Sequence, residues 1–204
     1  MKYATLVLLV VSCFALTSLA TASSTIDFSN GGGTLSGTNA GLTLSGSTLT
    51  AVVGFNGGGL VTGNLGTVSF TTGALASGSL TMGGTLNGGG TFSIVGNGNG
   101  GLPNGVLFSG TFSGPITWTL TTLAGGTHSY TLTGVLTGMI GGTSVNAVSV
   151  QLTVNTGVGF FTGSALISGG DTTVASVPEP STLAFFATGA MSMMGMMRRK
   201  LFAR

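Results

Sequence analysis

Apolar and polar residues take turns along most of the chain. Ile116-Thr117-Trp118-Thr119-Leu120-Thr121 alternates without a break, and so does Val148-Ser149-Val150-Gln151-Leu152-Thr153-Val154. Shorter runs of the same kind are Leu42-Thr43-Leu44-Ser45, Val68-Ser69-Phe70-Thr71, Leu80-Thr81-Met82, Phe92-Ser93-Ile94 and Tyr130-Thr131-Leu132-Thr133. A period of two puts every second side chain on the same side of an extended backbone. Each run therefore predicts a half-buried strand, and the β-branched and aromatic residues in it agree. Asn- and Gly-rich clusters separate the runs, among them Asn30-Gly31-Gly32-Gly33, Asn56-Gly57-Gly58-Gly59, Asn87-Gly88-Gly89-Gly90 and Asn97-Gly98-Asn99-Gly100-Gly101. Such clusters supply the positive φ that tight turns require. No helical period runs through the middle of the chain. The pattern predicts an all-β domain of roughly ten or more antiparallel strands, closed as a β-sandwich or flattened barrel with Thr and Ser outward.

A short motif recurs as Gly33-Thr34-Leu35-Ser36-Gly37, Gly84-Thr85-Leu86-Asn87-Gly88, Gly90-Thr91-Phe92-Ser93-Ile94 and Gly110-Thr111-Phe112-Ser113-Gly114. Its spacing is irregular, whereas a solenoid needs a steady period, so a sandwich or barrel is the better reading.

Charge is confined to the ends. Residues 23–176 contain two carboxylates, Asp27 and Asp171, one His, His128, and no Lys or Arg. All the cations, Lys2, Arg198, Arg199, Lys200 and Arg204, lie outside that span. A nucleic-acid partner is excluded for the middle region, because phosphate binding needs cationic side chains. Acid–base catalysis needs titratable groups close together, and only three are present. Asp27 and Asp171 stand at opposite ends of the domain sequence. Terminal strands often lie side by side, so a glycosidase-like pair in an aromatic-walled cleft is conceivable. Two solvated charges at strand ends are the plainer expectation. His128, in a turn entering a strand, reads as a surface residue, since a lone His lacks the partners of a metal site or triad. Neither metal nor cofactor is expected. Trp118 and Tyr130 are the candidate sugar contacts, because aromatic faces stack on pyranose rings. Trp118 alternates with Ile116 and Leu120, which turns it toward the core, and Tyr130 is the better candidate for exposure.

The two ends read as targeting devices. Lys2 and the apolar stretch Leu6 to Leu16, followed by Ala20-Thr21-Ala22, predict a signal peptide over residues 1–22 with its cut at the small residues Ala20 and Ala22. Val10-Val11-Ser12-Cys13 resembles a lipoprotein box, but Cys13 comes too early and the apolar run continues past it. With an ordinary cut, the only Cys of the chain leaves with the signal peptide. At the other end, residues 177–204 hold Val177-Pro178-Glu179-Pro180, an uncharged stretch from Ser181 to Met197 and then Arg198-Arg199-Lys200. As a helix, residues 181–197 measure about 25 Å, at the short end for crossing a bilayer. Pro178 and Pro180 bar a helix from running in from upstream, and the basic cluster would stay in the cytoplasm. The expected organisation is thus a signal helix, a Gly/Thr/Ser-rich β domain over residues 23–176, and a tail with one transmembrane helix.

This tail resembles the PEP-CTERM sorting signal in its order of parts: Pro178-Glu179-Pro180, a hydrophobic span, then Arg198-Arg199-Lys200. Its Met-rich span departs from the family's usual Leu, Gly and Ala. The resemblance implies that exosortase, a membrane-embedded protease-transpeptidase, reads the Pro-Glu-Pro motif and processes the tail. It implies a precursor held in the inner membrane of a Gram-negative cell, and delivery to the outer surface or an exopolysaccharide-rich biofilm matrix. The expected function is a non-enzymatic surface or matrix component with a capacity for self-association. A carbohydrate-binding sandwich module is the alternative, and a glycosidase-like enzyme the least favoured.

Overall fold

The alternating runs become strands in the structure, a computed structural model that describes residues 25–175. The signal helix 1–22 with Ala20 and Ala22, the sorting residues Val177 to Pro180, the helix over residues 181–197 and the cluster Arg198-Arg199-Lys200 lie outside the described residues. Among the described residues, no helix is long and apolar enough to cross a membrane.

The strands are β1 (Thr25–Gly31), β2 (Thr34–Thr38), β3 (Gly41–Val53), β4 (Val61–Thr71), β5 (Leu75–Ser79), β6 (Gly83–Leu86), β7 (Gly89–Asn97), β8 (Asn104–Phe112), β9 (Ile116–Thr122), β10 (His128–Ile140), β11 (Thr143–Gly157), β12 (Ser164–Leu166) and β13 (Gly169–Ala175). Eight of them close a ring in the order β11-β13-β1-β3-β4-β7-β8-β10 and back to β11. The closure expected from the alternation is therefore that of an antiparallel barrel. The first and last strands are neighbours in its wall, with Thr25 opposite Ala175 and Asn30 opposite Gly170.

Two strands are too long for single partners, and side arms grow from them. β10 pairs through its first half with β9 and through its second half with β8. β3 pairs with β2 at its start and with β1 at its end. One arm runs β9-β6-β5 and the other β2-β12, so β5 and β12 end as open edges. The hairpin between β10 and β11 turns on Gly141 and Gly142, at φ 54° and 85°. Both residues need positive φ in a two-residue turn of this kind, which is why two glycines stand there.

Eight strands enclose a space that side chains just fill. Phe70 and Phe92 stack with centroids 5.8 Å apart, and Phe112 meets both edge-on. Leu35, Leu49, Ile94, Phe108 and Leu136 are likewise fully buried. The wall is apolar inward, while outward positions such as Thr117, Thr119, Thr133 and Gln151 are polar and exposed. That is the reverse of a lipid-facing barrel, which is apolar outside. Where the backbones of neighbouring strands approach closely, glycine faces glycine: Gly66 opposes Gly96, and Gly138 opposes Gly110. No Cβ has to be accommodated at those close approaches.

Candidate functional site

The two candidate sugar contacts come together, but inside the protein. Trp118 on β9 and Tyr130 on β10 stack at 5.0 Å with their planes 16° apart, and Phe161 packs edge-on against Trp118. Trp118 is 1% exposed and Tyr130 0%. The inward turn of Trp118 follows its alternation. The expected exposure of Tyr130 is corrected: His128, Tyr130 and Leu132 alternate in phase on the inward face of β10. The polar tips of both rings are spent on backbone. Trp118 Nε1 donates to the carbonyl of Leu80 at 2.8 Å, and the Tyr130 hydroxyl donates to the carbonyl of Thr81 at 2.6 Å. The same hydroxyl accepts the backbone N–H of Phe161 at 3.0 Å. The pair thus pins the β5–β6 turn and the segment after β11 over the side arm, and it offers no ring face to a sugar. Buried Trp and Tyr commonly find such partners. Nothing local in the sequence marks Leu80, Thr81 and Phe161 as those partners.

An open groove of about 590 Å³ lies against these pinned segments, between Gly37–Ala40 on one side and Ser79–Thr81 with Phe161–Gly163 on the other. None of its lining residues is charged.

His128 is also corrected. It is 9% exposed, its ring lies 4.2 Å from that of Phe160 at 20°, and Nδ1 is 3.2 Å from the Thr122 hydroxyl. It is a packing residue at the start of β10, and no carboxylate stands against it among these partners.

The carboxylates do meet. β1 and β13 are paired, so Asp27 stands opposite Thr173 and Asp171 opposite Ser29 on the outer face. The Thr173 hydroxyl donates to Asp27 Oδ1 at 2.9 Å and lies 3.5 Å from Asp171 Oδ2, while Ser29 donates to Asp171 Oδ1 at 3.2 Å. They are therefore not two isolated solvated charges. A shallow recess of about 240 Å³ adjoins Asp171 and Thr173, walled by Thr133, Gly134, Ser149, Val150 and Gln151. None of these residues is aromatic, so the wall that a glycosidase-like cleft would use is missing there. Thr173, the bridge between the carboxylates, was not legible because its role depends on the pairing of the first and last strands.

Partial desolvation against the wall raises the Asp171 pKa above its ordinary 3.8, and the neighbouring Asp27 charge and carboxyl add to this. Hydrogen bonds from Ser29 and Thr173 pull the other way. A carboxyl that holds its proton more tightly when folded stabilises the fold below its unfolded pKa. That contribution is lost as pH rises through the folded pKa. The urea midpoint of the isolated domain is expected to fall between mildly acidic and neutral pH. Asp171→Asn should flatten that slope and raise the neutral-pH stability by about 0.2–1 kcal/mol, the scale of a cross-strand like-charge contact.

Two features now stand apart: a closed antiparallel barrel with an almost chargeless wall, and a tail that begins where the last strand ends. Residues 176–200 match the family model of the PEP-CTERM protein-sorting motif. The chain thus carries a PEP-CTERM sorting signal at its C-terminal end, which implies export and processing by exosortase. No curated protein and no solved structure matches the chain.

Proposed function

We propose that the chain is a non-enzymatic structural protein, held briefly in the inner membrane and then released by exosortase to the outer surface or the exopolysaccharide matrix. The sorting motif at residues 176–200 carries this reading. The barrel is consistent with it. Its outward side chains are largely Thr, Ser, Asn and Gln, which hydrate well and suit a neutral polysaccharide gel. Of its three titratable groups apart from Tyr130, His128 is used in packing and the two carboxylates share one Thr on a strand surface. Self-association fits the open edges of β5 and β12. Neither carries the Lys or Pro that blunts edge pairing in other proteins. Carbohydrate binding through Trp118 and Tyr130 is no part of the proposal, since both rings are buried.

Intact mass and cell fractionation of the protein from its native cells test the reading. The wild-type chain is expected to lose both the signal peptide and the tail, and to leave the inner-membrane fraction. Glu179→Ala should accumulate as tail-bearing protein in that fraction. An identical mass and distribution for the two chains would sink the sorting reading.

A further inference from the structure

The walls of the open groove between Gly37–Ala40 and the facing segments Ser79–Thr81 and Phe161–Gly163 are tied to one another. Gly37 donates its N–H to the carbonyl of Gly163 at 2.8 Å, which joins β2 to the segment after β11. The Tyr130 hydroxyl joins that segment to the β5–β6 turn, through the N–H of Phe161 and the carbonyl of Thr81. On the other wall, Leu75 donates to the carbonyl of Asn39 at 2.9 Å, and the N–H of Ala40 donates to the Thr38 hydroxyl at 3.2 Å. Three distant parts of the chain are thus held in place before any ligand arrives. A site formed beforehand loses little conformational freedom on binding.

The chemistry left facing the groove is narrow. Asn39 and Thr162 are exposed, and neither side chain has a hydrogen-bond partner among the described residues. Gly37 and Gly163 put no side chain between the walls, so the groove stays open. Leu80 and Phe161 are buried, which leaves no ring face and no apolar pocket at the surface. A volume of about 590 Å³ lies within the range of small-ligand sites, about 300–1,000 Å³. A charged ligand would give up its water here with no counter-charge to replace it, since no lining residue is charged. An apolar peptide side chain would find nowhere to bury itself. A ligand of neutral hydroxyls can exchange its water for the amide and hydroxyl groups, which both donate and accept.

We propose that this groove binds a segment of a neutral oligosaccharide, with Asn39 and Thr162 as its polar contacts from the two walls. Trp118 and Tyr130 are positioning residues in this site. They hold Leu80, Thr81 and Phe161 through backbone bonds and do not touch the sugar. Binding to one groove is weak, with a dissociation constant on the order of 1 mM, because no ring face is offered and every new contact displaces water. The inference goes beyond the structural role given above and does not depend on how the tail is processed.

Saturation-transfer NMR on the protein purified from its native cells tests this, with maltohexaose and cellohexaose as neutral probes and a galacturonate hexamer as the anionic one. At least one neutral hexamer is expected to saturate the protein near about 1 mM, and the anionic hexamer to bind far more weakly. Asn39→Ala and Thr162→Ala should each weaken binding several-fold, and together by about tenfold or more. Both residues are exposed and without internal partners, so the urea midpoint should stay where it is. Ala40→Arg, in the exposed turn at the groove, should block binding by filling the space. Thr119→Ala, exposed on β9 outside the groove, should bind like wild type. No saturable transfer to either neutral hexamer at up to about 10 mM would overturn the proposal. So would wild-type binding by the double variant or by Ala40→Arg, or a galacturonate hexamer bound as tightly as the neutral ones. None of these results bears on the sorting reading, which the mass and fractionation of Glu179→Ala decide.

Discussion

Trp118→Ala is expected to lower the stability of the isolated domain by about 3–5 kcal/mol, the cost of emptying an aromatic site in a well-packed core. The loss has two sources. Removing the indole takes away the partner on which Tyr130 stacks at 5.0 Å and the ring that Phe161 meets edge-on. It also strands the carbonyl of Leu80, which accepts from Trp118 Nε1 at 2.8 Å in a buried setting. Domains of this size are stable by only about 5–15 kcal/mol, so a change on this scale removes a large share of the total. Trp118→Phe separates the two sources. It keeps an aromatic ring in the site and forfeits the hydrogen bond, so its deficit should be smaller, with about 1–3 kcal/mol for the orphaned carbonyl. Urea titration followed by circular dichroism measures both variants. Equal midpoints for Trp118→Ala and wild type would mean that the side arm does not depend on this cluster.

Gly66→Ala should be almost as damaging, at about 3 kcal/mol, the upper end for overpacking a close-packed site. Gly66 sits at φ 150° on β4, directly opposite Gly96 on β7. A Cβ placed there would run into the backbone carbonyl of Val95 and the Cα of Gly96. Backbone cannot step aside as a flexible side chain can, so the two strands would have to part. Gly142→Ala is the control. It also has positive φ, 85°, but a Cβ there meets nothing within 4 Å. If both substitutions cost the same, the effect comes from φ alone and the glycine-to-glycine approach has no special weight.

The local parts of the fold were legible and the closing parts were not. Runs such as Ile116 to Thr121 and Val148 to Val154 announce strands because burial of one face forces a period of two, and that force acts on neighbours in sequence. The same rule turns Trp118 inward. Applied to Tyr130 in phase with His128 and Leu132, it turns that ring inward as well. The barrel seam carries no such mark. Pairing of Thr25 with Ala175 is set by how many strands fit around the core, which is a property of the whole chain. The meeting of Asp27 and Asp171 at Thr173 follows from that pairing, so only its possibility could be read beforehand. Partners such as Leu80, Thr81 and Phe161 offer backbone atoms, and backbone atoms leave no trace in composition. The sorting motif is the opposite case. It acts as a linear signal, so its order of parts is fully present in the sequence.

The neighbourhood of β1 and β13 also sets the timing of folding during export. A chain that emerges N-terminus first presents β1 early and delivers its β13 partner last. Until then the ring cannot close, and β1 has only β3 beside it. Pairings that span nearly the whole chain make folding slow, because the entropy of joining distant segments is spent before any contact rewards it. The newly exported protein therefore passes through an open-ringed stage with free strand edges on both β1 and β11. For a domain with no Lys or Arg to guard those edges, that interval, more than the finished barrel, is when aggregation threatens.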